Sequence, residues 1–162
     1  MKTLTRTFAF SVLLLAPAAA LPADSSPAVR TDPVLEQVSN ATASKDWPRA
    51  QALLRDALAR DPSNADYHNL YAHAIRKGAN PDMSLVFKHY NEALRLDPKH
   101  RGAHEYIGEA YLMLDNLPKA KEHLSALNSL CTLTCGEYRD LKRAVETYEK
   151  SGGKSKPTAS SW

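Results

Sequence analysis

Glycine occurs only six times in 162 residues, and aromatic side chains make up 7% of the chain. So few of each argue against a strand-rich fold, which draws on aromatic residues, and no glycine-rich loop capable of cradling a phosphate is present. Net charge is also scarce. The formal balance of +3 shrinks to +1 if residues 1–20 are removed, because Lys2 and Arg6 go with them and no acid does. A charge so close to zero excludes the electrostatic footprint of a nucleic-acid binder, despite a pI near 8.8. Cysteine is limited to Cys131 and Cys135. Long apolar runs are missing as well. The one short run, 8–16, is too short to span a bilayer, so no integral membrane segment is expected in the mature chain.

That short run has a different use. Lys2 and Arg6 precede it, and Ala18-Ala19-Ala20 follows it as a small-x-small cleavage site. Residues 1–20 are therefore expected to be a signal peptide, and the mature protein to be exported, periplasmic or secreted. Residues 21–31, with Pro22, Ser25, Ser26 and Pro27, read as a flexible leader. Residues 151–162, rich in Gly, Ser and Lys, read as a disordered tail.

Between them Ala and Leu dominate, and the apolar residues recur with helical period. In the stretch 101–132, Ala103, Ile107, Ala110, Tyr111 and Leu114 share one face, with Gly108 set in it. Asp115-Asn116 breaks the pattern. Leu117, Ala120, Leu124, Leu127 and Leu130 then resume it. This is a helical hairpin that cannot bury its apolar faces alone. Earlier, Val34, Val38 and Ala41 form a thinner stripe after Asp32-Pro33, an N-cap followed by a first-turn proline. Asp46-Trp47-Pro48 opens a further helix with Ala50, Leu53, Leu54, Ala57 and Leu58 inward and Trp47 at the hairpin turn. It stops at Asp61-Pro62.

The hairpin is repeated. The segment DALARDPSN (56–64) returns as EALRLDPKH (92–100), with Pro62 and Pro98 placed 36 residues apart. Ala72 and Gly108 are small residues at one slot of the first helix, and Ile75 and Tyr111 follow three later. Ala50 and Ala120 stand early in the second helix, and Ala57 and Ala93 stand further along it. On these residues the chain resembles the tetratricopeptide-repeat (TPR) family from about 31 to 150. The resemblance implies an all-α solenoid: repeats near 31–64, 65–100 and 101–134, then a capping helix at 136–150 with Tyr138, Leu141, Ala144, Val145 and Tyr148 inward. Lys142 then falls at the slot of Ala72 and Gly108, which suits a last helix with nothing stacked on it. Val86 and Leu127 replace an expected Ala, and the turn at 78–82 carries two extra residues.

The resemblance further implies a concave groove that receives an extended peptide or a partner helix. Its walls would be Asn69, His73 and Arg76, then Glu105, Glu109 and Leu112, then Arg139 and Arg143. The family's carboxylate clamp for chaperone tails is not implied, since Leu35, Ser39, Glu105 and Glu109 stand where Lys and Asn would be needed. A plainer reading of the charges pairs Glu105 with Arg139 and Glu109 with Arg143 across adjacent helices, leaving Asn69, His73, Arg76 and Leu112 for a ligand. His68 and His104 occupy one slot of two repeats, where packing accounts for them.

Cys131 and Cys135 straddle the junction before the capping helix. In an exported protein an even cysteine count favours a disulfide that pins the cap. A thiol-redox pair and a soft copper site are the alternatives, the latter needing a third ligand such as Met113 or His123. No Ser/His/Asp arrangement, zincin motif or paired-carboxylate cleft is present. The expectation is a non-catalytic scaffold without cofactor or metal, serving a protein or peptide partner.

Overall fold

The computed structural model describes residues 32–133 and 135–153. The expected signal peptide and leader, and all of the expected tail beyond Gly153, lie outside the described residues. Among the described residues there are seven helices and no strand. They are α1 (Pro33–Ala43), α2 (Trp47–Arg60), α3 (Ala65–Arg76), α4 (Met83–Leu96), α5 (Arg101–Met113), α6 (Leu117–Leu130) and α7 (Gly136–Lys150).

The first six helices each begin on a side chain that accepts a hydrogen bond from a first-turn backbone N–H. The caps are Asp32, Asp46, Asn64, Asp82, His100 and Asn116. Proline in the first turn of α1, α2 and α6 surrenders an N–H that has no intrahelical partner there. The helices α2 and α4 end where Asp61 and Asp97 precede proline. Both residues are driven extended, at φ −135° and −133°. The hairpin turns after α1 and α5 share another device. Lys45 and Asp115 adopt positive φ, 58° and 55°. In each turn the next N–H then reaches back to close the helix end: Asp46 to the Ala41 carbonyl at 2.8 Å, and Asn116 to the Tyr111 carbonyl at 2.9 Å. The last turn of α3, ahead of the longer connection to α4, is tied to α2, where Gln51 Nε2 donates to the Ala74 carbonyl at 2.9 Å.

Packing follows the small residues. Ala50, Ala72, Ala93, Ala103, Ala110 and Ala120 are fully buried, which lets the helix axes approach. Each helix lies against its hairpin partner, and α3, α5 and α7 lie side by side. The core runs as three linked clusters: Val38 and Leu54; then Val86, Tyr90 and Ile107; then Leu112, Leu127 and Leu141. Gly108 marks the tightest approach. A Cβ there would stand 2.6 Å from Leu141 Cδ2, so α7 rests directly on the α5 backbone. Leu141 therefore covers that slot, while Lys142 points to solvent and lies 4.0 Å from Glu146 on its own helix. Leu114, read as part of the apolar face, is instead 54% exposed. It caps α5 from outside the helical turn and so leaves the buried stripe.

Cys131 and Cys135 lie at disulfide distance, with Cα atoms 5.8 Å apart, across the α6–α7 junction.

Candidate binding groove

The parallel helices α3, α5 and α7 bring their polar residues into two adjoining seams. Between α3 and α5 the rows are Asn69, His73 and Arg76 against Gly102, Tyr106, Glu109 and Met113. Spacings of three and four keep each row on one helical face.

Arg76 is the centre of the first seam. Its side chain is 1% exposed, and Nη2 donates to Glu109 Oε2 at 2.6 Å. Its Nε donates to Tyr90 Oη at 3.3 Å, its Nη1 faces Met113 Sδ at 3.8 Å, and the Tyr106 ring lies 5.8 Å from the guanidinium carbon. Burial works against the charge, but Tyr90 and Glu109 more than offset it and hold the pKa above the usual arginine value.

His73 lies between two aromatic rings, Tyr106 at 4.3 Å and Trp47 at 5.8 Å edge-on. Burial pushes its pKa down to about 3, helped by the positive charges of Arg76 and Lys77, so the ring is neutral. Asn69 is also buried. Its Nδ2 stands 3.2 Å from where a Cβ on Gly102 would be, so glycine makes room for it. Asn69 Oδ1 and His73 Nδ1 have no hydrogen-bond partner among the described residues.

Glu105 occupies the second seam, between α5 and α7. It is buried and makes no ion pair among the described residues. Burial raises its carboxyl to about 8, and the negative charges of Glu109, Asp140 and Glu137 add to that against Arg76. At neutral pH Glu105 is therefore mostly an uncharged acid that can donate a hydrogen bond.

The cross-helix pairs read from the sequence, Glu105 with Arg139 and Glu109 with Arg143, do not form. Arg76 takes Glu109, because a fully buried guanidinium needs the nearest carboxylate. Arg143 pairs with Asp140 on its own helix at 2.9 Å, and Arg101 approaches Glu137 at 3.6 Å. Neutral Glu105 attracts no cation, and Arg139 stays exposed. Leu112 is 3% exposed and packs with Leu127 and Leu141 beneath α7, so it belongs to the core and not to a wall. Arg76 likewise is fully engaged in place of being free for a ligand. Sequence reading missed Tyr90, Tyr106 and Trp47 as parts of this network. Tyr106 carried a readable signal, being the aromatic residue between Gly102 and Glu109 on the same face.

No family model matches the sequence. The fold itself is matched closely. The TPR2B domain of yeast Sti1, in its pHsp70 complex, superposes with a TM-score of 0.64 at 18% identity. The match covers 73% of this chain and 94% of that one. The chain has the fold of a tetratricopeptide-repeat solenoid. The Arabidopsis OM64 TPR domain matches with a TM-score of 0.61 at 17% identity, over 71% of this chain and 93% of that one. The first TPR of Spaghetti (RPAP3), bound to the HSP90 peptide SRMEEVD, matches with 0.60 at 16% identity, over 72% and 90%. In sequence, the TPR repeat-containing thioredoxin TTL4 of Arabidopsis thaliana is 30% identical over 105 residues. This covers 65% of the chain but only 14% of that much longer protein. In TPR terms the rows described above belong to the first helix of each repeat.

Proposed function

We propose that this TPR domain is a non-catalytic, exported scaffold that takes a peptide or protein partner along the concave side of α3, α5 and α7. The observation that carries the reading is Glu105. A buried carboxyl with no ion-pair partner among the described residues, kept neutral by its surroundings, lowers stability and is characteristic of a functional site. A partner carbonyl would accept its proton in a hydrogen bond. The peptide complexes of the Sti1 and RPAP3 neighbours support the general mode. They do not set the ligand. Arg76, Arg101 and Arg143 are already matched to Glu109, Glu137 and Asp140, which leaves Arg139 as the one groove arginine without an ion pair among the described residues, so an acidic tail such as SRMEEVD is not the expected occupant.

The test is a crosslinking pull-down from the exported compartment, followed by affinity measurements on the captured partner. Glu105→Leu is expected to raise the unfolding midpoint at pH 7, because the uncompensated acid is gone. It should also weaken capture about fivefold, the loss of one hydrogen bond of about 1 kcal/mol. A more stable variant that binds as well as the parent refutes the groove reading.

Export rests on Lys2, Arg6, the apolar run and Ala18–Ala20, and a Cys131–Cys135 disulfide fits an oxidising compartment. While that disulfide is formed no thiolate is available for copper, whereas a thiol-redox role would cycle through this same bond. Intact mass of the exported protein checks both points. The expected species begins at Leu21 and is lighter than its reduced form by one pair of hydrogen atoms. Retention of residues 1–20 or two free thiols would contradict them.

A further inference from the structure

Four of the six histidines form two pairs that recur from one repeat to the next. His68 Nδ1 lies 2.8 Å from His89 Nδ1, between α3 and α4. His104 Nδ1 lies 3.0 Å from His123 Nδ1, between α5 and α6. In each case the first histidine turns its Nε2 to the carbonyl of the preceding helix-stop proline, Pro62 at 3.0 Å and Pro98 at 3.1 Å. A carbonyl only accepts, so Nε2 of His68 and of His104 carries the proton. Their Nδ1 atoms are then acceptors, and the Nδ1–H of His89 and of His123 donates to them. The rings meet end to end through these nitrogens, with centroids 5.0 and 5.2 Å apart and planes inclined at 28° and 49°.

This geometry limits the charge a pair can hold. One added proton is accommodated. The first ring becomes a donor at both nitrogens, and its partner shifts its own proton to Nε2 and accepts through Nδ1. A second added proton sets two N–H groups and two positive charges head to head at about 3 Å, and the contact breaks. We propose that the two pairs act as an acid-operated latch, each holding its hairpin closed until it has taken up two protons.

The surroundings support this. Burial lowers His89 to about 4, with His68 and Lys88 adding to the effect and Glu92 opposing it. Burial lowers His123 to about 4, with His104 adding to it; Glu122 opposes and Lys119 adds slightly. Both acids are engaged, Glu92 with Arg95 and Glu122 with Lys119, each at 2.7 Å. The rings of Tyr71 and Tyr111 cover His89 and His123 and bring no compensating charge at acidic pH. The sign follows from linkage. The stabilising effect is complete above the unfolded histidine value of 6.5 and is lost as pH falls from there to about 4. Because α3 and α5 also carry the groove rows, opening the hairpins would release a bound partner. That consequence rests on the proposed function, whereas the latch does not.

The test is denaturant unfolding of the mature chain between pH 7.5 and 4, compared with His89→Gln/His123→Gln. Glutamine can still donate to the facing Nδ1 but cannot titrate. Below pH 6 the unfolded parent binds about one more proton per pair than the folded form, so its unfolding constant should rise about a hundredfold more per pH unit than that of the variant. His73 titrates alike in both and cancels. Parallel curves would overturn the latch. If the variant does not fold, imidazole 15N spectra of the parent decide. One ring of each pair should protonate only below about pH 5, and all four titrating together near 6.5 would overturn the proposal.

Discussion

Replacing Arg76 with leucine is expected to destabilise the domain by about 3–5 kcal/mol, measured by denaturant unfolding at pH 7. The size follows from what is left behind. Glu109, at 13% side-chain exposure, is left without its cation, and the fully buried Tyr90 hydroxyl loses the Nε contact. Removing both charges at once reverses the expectation. In Arg76→Leu/Glu109→Leu neither ion has to be desolvated, so the loss should be recovered and the double variant should match or exceed the parent. A single variant within about 0.5 kcal/mol of the parent would place the pair in water, where surface bridges contribute about 0–1 kcal/mol.

The second large effect concerns the cap. Leu141→Ala should cost about 2–5 kcal/mol, because a fully buried side chain that fills the space above Gly108 is truncated and a cavity remains. Gly108→Ala acts on the same space from the other side. Its Cβ would meet Leu141 at 2.6 Å, with an overpacking cost of about 1–3 kcal/mol, set against about 1 kcal/mol of improved helix propensity. Combining the two should give a loss clearly smaller than the sum, since the new methyl occupies part of the new cavity. Strict additivity in a double-mutant cycle would show that the two residues do not touch. Loss of α7 signal in hydrogen exchange of Leu141→Ala, with α1 and α2 unchanged, would locate the damage at the cap, as expected for a solenoid in which each repeat contacts only its neighbours.

The helices were readable because their causes are local. Asp-Pro at 61–62 and 97–98 ends a helix whatever surrounds it, and Asp32, Asp46 and Asn116 cap one within three residues. Periodicity located the buried faces of α2, α5 and α7, and the small residues at 72 and 108 marked where a neighbour would come close. The errors at Leu114 and Leu112 come from the same method. A period says which residues share a face, but not where the last turn unwinds or whether a second helix covers the far side.

The chemistry of the groove was legible only in part. Asn69, His73, Arg76, Glu105 and Glu109 were identifiable as one group, because repeat offsets place them on equivalent helices. Their charge states were not. Arg76 meets Glu109 across 33 residues, His68 meets His89 across 21, and His104 meets His123 across 19. Such distances close only when hairpins stack at a particular angle. The spacing of apolar residues, prolines and caps thus determined an all-α repeat solenoid by itself, since each depends on a few consecutive residues. Which cation Glu109 binds, why Glu105 keeps its proton and why His89 and His123 resist protonation were decided by the stacked structure. Burial and the nearest opposite charge set these states, and both exist only once the helices are packed.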